Sequence, residues 1–223
     1  MGFGYILICL MSQACGFVAE NELGRLRVQE QEIVNDQGPF LIKSIGTGNW
    51  MIQEGYMMQT TDAGIGTHTQ FRTKLEQEMG EDRTAEFYQD WLDNHMDKTD
   101  IDSMKAWGFN AIRPALHYKW FTLPIQDEPV FGQNTWVNVG FEKLDELMNW
   151  AAANQMYVMF DMHGAPGGQG KNSNINDYDE TLPSLFEDEA NKAKLEALWV
   201  KLAKRYKDNP WFGGYDLINE PNW

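Results

Sequence analysis

The sequence predicts an α/β fold in which parallel strands alternate with helices and close into a (β/α)8 barrel, the TIM-barrel architecture. Three observations predict it. From Thr99 onward, strand-length apolar runs alternate with amphipathic helical stretches. The run Tyr157–Met162 is nearly continuous in apolar residues, as expected of a parallel strand buried on both faces. Polar residues stand at the C-terminal ends of successive strands: Arg113, then Asp161 and His163, then Asn219 and Glu220. In a barrel, that end is where catalytic groups converge. An open doubly wound sheet is the competing closure, but no Gly-rich dinucleotide turn follows the first strand.

Taken in chain order, Arg25–Val34 and Pro39–Lys43 alternate around the turn signal Asn35-Asp36-Gln37-Gly38 and read as one hairpin. Ser44–Trp50 is a short strand ending in small residues. Residues 51–96 form a polar, Met-rich insertion with helical stretches around Phe71–Met79 and Ala85–His95. Thr99-x-x-Asp102 caps a helix that stops at Gly108. Asn110–Arg113 is then a strand broken at Pro114. The stripe Phe141, Leu144, Leu147, Met148 and Ala151 predicts a helix before Tyr157–Met162. Leu195, Leu198, Trp199, Leu202 and Tyr206 predict another, stopping before Asn209-Pro210, and Tyr215–Ile218 is the last strand. Four strands fit, centred near Ile45, Ile112, Phe160 and Leu217. A barrel needs eight. Residues 20–223 are therefore expected to be the N-terminal half of a barrel domain, its first four β/α units led in by the hairpin.

Thirty-three acidic residues against 18 basic ones give a formal charge of −15. Such a surface repels phosphate backbones, so nucleic acid is excluded as a partner and a neutral ligand such as a polysaccharide is favoured. The two cysteines, Cys9 and Cys15, leave the rest of the chain without a disulfide framework or a thiolate metal site. Residues 1–19 read as a secretory signal peptide: an apolar run from Tyr5 to Met11, then Ser12-x-Ala14 as a cleavage site directly before Cys15. No Lys or Arg precedes Arg25. Cys15 also fits the lipidated first residue of a bacterial lipoprotein, so free secretion and a lipid anchor both stay open. Either way the protein is expected outside the cell or on its surface.

Glu220 closes a strand in Leu217-Ile218-Asn219-Glu220-Pro221. Among apolar barrel residues it would be desolvated, which raises a carboxyl pKa and favours a protonated general acid. Asn219 can donate to a sugar hydroxyl or hold the acid in place. His163, where a strand becomes a Gly-rich loop, can hydrogen-bond a substrate hydroxyl. Arg113 calls for a carboxylate partner, expected from the half of the barrel not present here. Trp50, Trp120, Trp136 and Trp223, at strand ends or in loops, offer indole faces for stacking on sugar rings, whereas Trp91, Trp107, Trp150 and Trp199 read as core. Asp161-x-His163 invites a metal reading that lacks further ligands at matching spacing. Gly170-Lys171 resembles the end of a phosphate loop, but Ala165 replaces its first glycine and Asn172 its hydroxyl residue.

Four motifs in this order resemble glycoside hydrolase family 5, nearest its exo-β-1,3-glucanase-like branch. They are Gly48-Asn49-Trp50…Glu54-Gly55-Tyr56-Met57, Gly108-Phe109-Asn110-x-Ile112-Arg113-x-Ala115, Phe160-Asp161-Met162-His163-Gly164-Ala165-Pro166-Gly167 and Leu217–Pro221. The resemblance implies a retaining β-glycosidase acting on a β-glucan or related polysaccharide, with Glu220 as general acid/base and no metal or organic cofactor. It further implies Arg113, His163 and Asn219 as site residues and Glu54 as an acidic sugar contact; Trp50, within the first of these motifs, is the substrate-stacking candidate from the indole reading above. The family's nucleophile, a Glu ending the seventh strand, has no counterpart among the four strands found, so the chain alone is expected to be inactive and the complete enzyme a monomer. The Met-rich stretch after Glu54 and the 51–96 insertion depart from the family pattern and leave the substrate open. A non-catalytic carbohydrate-binding barrel would be expected to show a damaged acid/base position, whereas Glu220 is intact. A metal-dependent barrel hydrolase is the other rival.

Overall fold

The computed structural model describes residues 21–223. The signal-peptide reading and Cys15 lie outside the described residues.

The lead-in is a three-stranded antiparallel sheet, β1 (Arg27–Gln29), β2 (Glu32–Asn35) and β3 (Gly38–Pro39), in that order. It holds two hairpins rather than the one expected. Arg25–Val34 folds back on itself at Glu30-Gln31, where Glu30 takes a left-handed φ of 56°. The second turn falls at Asp36-Gln37, as read from the sequence. The lead-in is tied to the start of the main sheet. Phe40 meets Tyr157 edge-on at 5.2 Å, the Tyr157 hydroxyl donates to Gly24 O (2.6 Å), and Asn21 Nδ2 donates to Pro210 O (2.7 Å).

The main sheet has four parallel strands in sequential order: β4 (Ser44–Thr47), β5 (Ala111–His117), β6 (Tyr157–Gly164) and β7 (Phe212–Asp216). Between them run α1 (His68–Met79), α2 (Glu81–Asn94), α3 (Lys98–Ala106), α4 (Val139–Ala153), the short α5 (Ser173–Asn176) and α6 (Glu189–Tyr206). Helical periodicity decides what each buries: α4 puts Phe141, Leu144, Leu147, Met148 and Ala151 inward, and α6 puts Leu195, Leu198, Leu202 and Tyr206 there. These side chains meet Ile112, Leu116, Val158, Phe160 and Met162 in one core. At about 2–5 kcal/mol for truncating a buried leucine, it is the main stabilising term.

Three boundaries differ from the sequence reading. The cap of α3 is Asp97, whose carboxylate accepts from Thr99 N and Asp100 N, while Asp100 returns the bond to Asp97 N, so the capping box starts two residues before Thr99. β5 runs through Pro114: the β4 ladder ends at the pair Thr47–Pro114, so the proline ends one ladder and leaves the strand intact. β7 begins at Phe212 and ends at Asp216, and Leu217, placed at the strand's centre from sequence, is exposed beyond it. β7 is an edge strand, and its residues are half-buried or exposed rather than buried on both faces.

Candidate active site

Of the five polar site residues read from the sequence, Glu54 lies beyond β4, His163 near the end of β6, and Asn219 and Glu220 just past β7, whereas Arg113, expected to end its strand, is the third of the seven residues of β5, which runs on to His117. After β4 the chain turns through Asn49, in the left-handed region at φ 61°, whose Oδ1 accepts from Glu54 N at 3.0 Å. Met51, Ile52 and Gln53 are buried, and Gln53 Oε1 accepts from the Tyr88 hydroxyl of α2 (2.8 Å). The opening of the 51–96 stretch is thus core, not a polar excursion. Gly55 allows the tight return: a Cβ there would lie 2.4 Å from Ile65 O. Glu54 itself is buried.

Arg113, from β5, supplies the centre of the network. Its Nη1 lies 3.0 Å from Asp161 Oδ2, its Nη2 donates to Asp216 Oδ2 (2.6 Å) and to Asn219 Oδ1 (2.8 Å), and its Nε donates to Asp216 Oδ2 (3.1 Å). The carboxylate partners expected from elsewhere in the protein are therefore here, on β6 and β7. Asp161 is fully buried, whereas the Asp216 side chain is 41% exposed.

These bonds fix a tautomer. Because Asn219 Oδ1 accepts from Arg113, its Nδ2 faces His163 Nε2, 3.3 Å away. An amide nitrogen only donates, so Nε2 accepts and the proton sits on Nδ1, aimed at Asp161 Oδ2 at 2.6 Å. His163 Nε2 also lies 3.6 Å from Glu54 Oε1, too long for a hydrogen bond. Burial pushes the Glu54 carboxyl above its usual range; His163 and the Tyr56 hydroxyl oppose the shift, and the nearby charges of Glu220 and Asp161 add to it. Glu54 Oε2 and Asp161 Oδ1 are buried without a hydrogen-bond partner among the described residues.

Glu220 follows Asn219 with a left-handed φ of 43° and is exposed. The desolvated setting expected for it is not realised on these residues, because β7 has no strand on its outer side to cover it.

The tryptophans sort differently from the sequence reading. Trp50 is no stacking surface: it is 1% exposed in the core and its indole donates to Leu92 O at 3.1 Å. Trp120 is buried likewise, donating to Met51 O. Trp223 is exposed, while Trp107, read as core, is 71% exposed. A cavity of about 810 Å³, lined among others by Lys119, Ala165, Gly167, Lys171 and Asp177, lies beside the loop that follows His163. Glu54, Arg113, His163, Asn219 and Glu220 are not among its lining residues. Two neighbours of these residues escaped the sequence reading: Asp216, bonded to Arg113, and Gln169, bonded to Asn219. Asp216 carried a signal, as a lone charge in an apolar strand; Gln169, within a Gly-rich loop, carried none.

Neighbouring parallel strands bring an arginine, a histidine and an asparagine–glutamate pair together, and in an α/β barrel such polar groups gather at the catalytic face. Comparison with known proteins makes the class specific. The family described as Cellulase (glycosyl hydrolase family 5) matches residues 65–223, and the chain belongs to that family. A β-xylosidase of Phanerodontia chrysosporium is 27% identical over 88% of this chain and 39% of its own length. A probable glucan 1,3-beta-glucosidase A of Aspergillus niger is 24% identical over 89% of this chain and 45% of its own. The crystal structure of rutinosidase from Aspergillus niger superposes with a TM-score of 0.62 at 19% identity, over 82% of this chain and 49% of that one. The fold is that of the family's (β/α)8 barrel, and the chain spans about half the length of the curated relatives it matches.

Proposed function

We propose that the protein carrying this chain is a retaining β-glycosidase acting on a β-glucan or a related β-linked polysaccharide, and that Glu220 is its general acid/base. The observation that carries the reading is the placement of Glu220 directly after Asn219, whose amide is locked between Arg113 and His163. The names borne by the relatives, a β-xylosidase and a glucan 1,3-beta-glucosidase, support β-linked sugars as the substrate class.

In this mechanism Glu220 gives its proton to the glycosidic oxygen as that bond breaks, while a second carboxylate attacks the anomeric carbon from the opposite face. Glu220 then takes a proton from the water that releases the sugar. The attacking carboxylate is assigned to a later strand of the barrel, about 5–5.5 Å from Glu220, and the 223 residues alone are expected to hydrolyse no glucan. A strand beside β7 would cover its free side and supply the desolvation that a proton donor needs. Arg113, His163 and Asn219 hold the sugar and orient the acid; Glu54 accepts from a sugar hydroxyl, which gives its unpartnered Oε2 a partner. Export from the cell, with or without a lipid on Cys15, belongs to the same proposal.

The leaving group tests it. In the whole protein, Glu220→Ala should slow hydrolysis of glucan by on the order of 10²–10⁴-fold, the usual contribution of general acid–base assistance. Formation of the glycosyl-enzyme from a dinitrophenyl glycoside, whose phenolate leaves unprotonated, should be nearly unchanged. Equal losses on both substrates would remove Glu220 from the acid/base role.

A further inference from the structure

The loop from Gly164 to Gly170 contains one long polar side chain, Gln169, and it is fully buried. A buried amide persists only where its donors and acceptor are met. Here all are met: Oε1 accepts from Ala165 N (3.1 Å), and Nε2 donates to His163 O (2.7 Å) and to Asn219 O (2.9 Å). The two acceptors belong to different strands' ends. His163 lies within β6, held by that strand, whereas Asn219 lies past the end of β7, where its backbone is otherwise anchored through its N–H to Met162 O at 3.1 Å and its side chain is held by Arg113 and His163.

The carbonyl that Gln169 holds on Asn219 is half of the peptide leading into Glu220. Glu220 takes a left-handed φ, uncommon for a residue with a side chain and kept only where the surroundings fix it. Two further contacts close the same seam: Gly170 bridges to Asn222, and Lys171 N donates to Asn222 Oδ1 (2.8 Å). A Cβ at Gly170 would fall 2.3 Å from Asn222 Oδ1, so a larger residue there would displace the Asn222 side chain from this seam.

We propose that Gln169 is a positioning residue for Glu220, tying the peptide before the acid to the loop that carries His163 so that the carboxyl is held at the scissile oxygen. The proposal rests on the reading of Glu220 as acid/base. Its test uses the whole protein, aryl β-glucosides of good (dinitrophenyl) and poor (methoxyphenyl) leaving groups, and three variants. Gln169→Met keeps the shape and loses every bond; Asn222→Ala loosens the seam at an exposed position; Glu220→Gln is the reference. A misplacement of about 1 Å costs on the order of 10²-fold. Gln169→Met should therefore lower kcat/KM for the poor leaving group by roughly 10- to 100-fold and for the dinitrophenyl glucoside by less than about threefold. Asn222→Ala should show the same selectivity at several-fold, and it decides the matter if thermal unfolding shows that Gln169→Met does not fold. Equal losses on both substrates, or no loss in a folded variant, overturn the positioning role. If Glu220→Gln itself shows no leaving-group selectivity, the acid/base reading fails first, and the positioning proposal falls with it.

Discussion

His163 and Glu220 stand at the ends of neighbouring parallel strands, yet their surroundings differ in nearly every physical respect. β6 has β5 on one side and β7 on the other, and at its end Asp161 is fully buried, bonded to His163 and facing Arg113. Among the described strands β7 has a neighbour on one side alone; its Asp216 is 41% exposed, and Glu220 beyond it is exposed. What a strand end offers chemically is thus decided by the strands beside it. The tautomer of His163 is fixed by groups from β6 and from the residues after β7, whereas Glu220 stands exposed past the end of an edge strand.

The largest effect should come from breaking the charge network on its buried side. Arg113→Met leaves the fully buried Asp161 without its counter-charge; losing one partner of a fully buried pair costs about 3–5 kcal/mol, and with the Arg113 side chain 31% exposed the loss should fall toward the lower end. Urea unfolding of the chain should show it as a fall in midpoint at unchanged slope.

Glu54→Gln should give an intermediate and pH-dependent effect. Burial raises the folded-state carboxyl above 4.5, so the native state holds its proton more tightly than the unfolded chain does. That contribution to stability is full below about pH 4.5 and is lost as pH rises through the folded value. The glutamine variant should match the wild type in thermal midpoint at pH 4 and exceed it at pH 7. A variant that loses stability equally at both would show Glu54 to be a packing residue. The smallest effect is expected on the edge: Asp216→Ala, a half-exposed partner, should cost roughly 1 kcal/mol or less. Should it cost as much as Arg113→Met, the contrast between the two strand ends would be wrong.

Much of this arrangement was legible in the sequence because period and apolarity report burial directly. The stripe on α4 and the run Tyr157–Met162 fell where expected, since each buries the same face or faces along its whole length. Likewise Arg113, His163, Asn219 and Glu220 stood out in the sequence because each interrupts an apolar pattern. What could not be read depends on neighbours distant in sequence. Trp50 and Trp107 exchange roles, since indole composition says nothing of whether α2 covers a ring, as it covers Trp50 through Leu92 O, or none does. Pro114 was read as a strand break because the missing N–H matters only where a ladder continues, and the β4 ladder stops there. The tight turn at Glu30-Gln31 lacks Gly or Asn, the residues that announce a left-handed φ. Gln169 is legible only once β6 and β7 are side by side.

The central claim is that Glu220 moves the proton in both halves of a double displacement, and azide tests it most directly. Azide needs no deprotonation to attack, so it should rescue breakdown of the glycosyl-enzyme in whole-protein Glu220→Ala turning over a dinitrophenyl β-glycoside. The account predicts faster turnover with added azide and a β-glycosyl azide as product. An α-linked azide would contradict it and move Glu220 to the nucleophile's place, and no rescue at all would deny it the base.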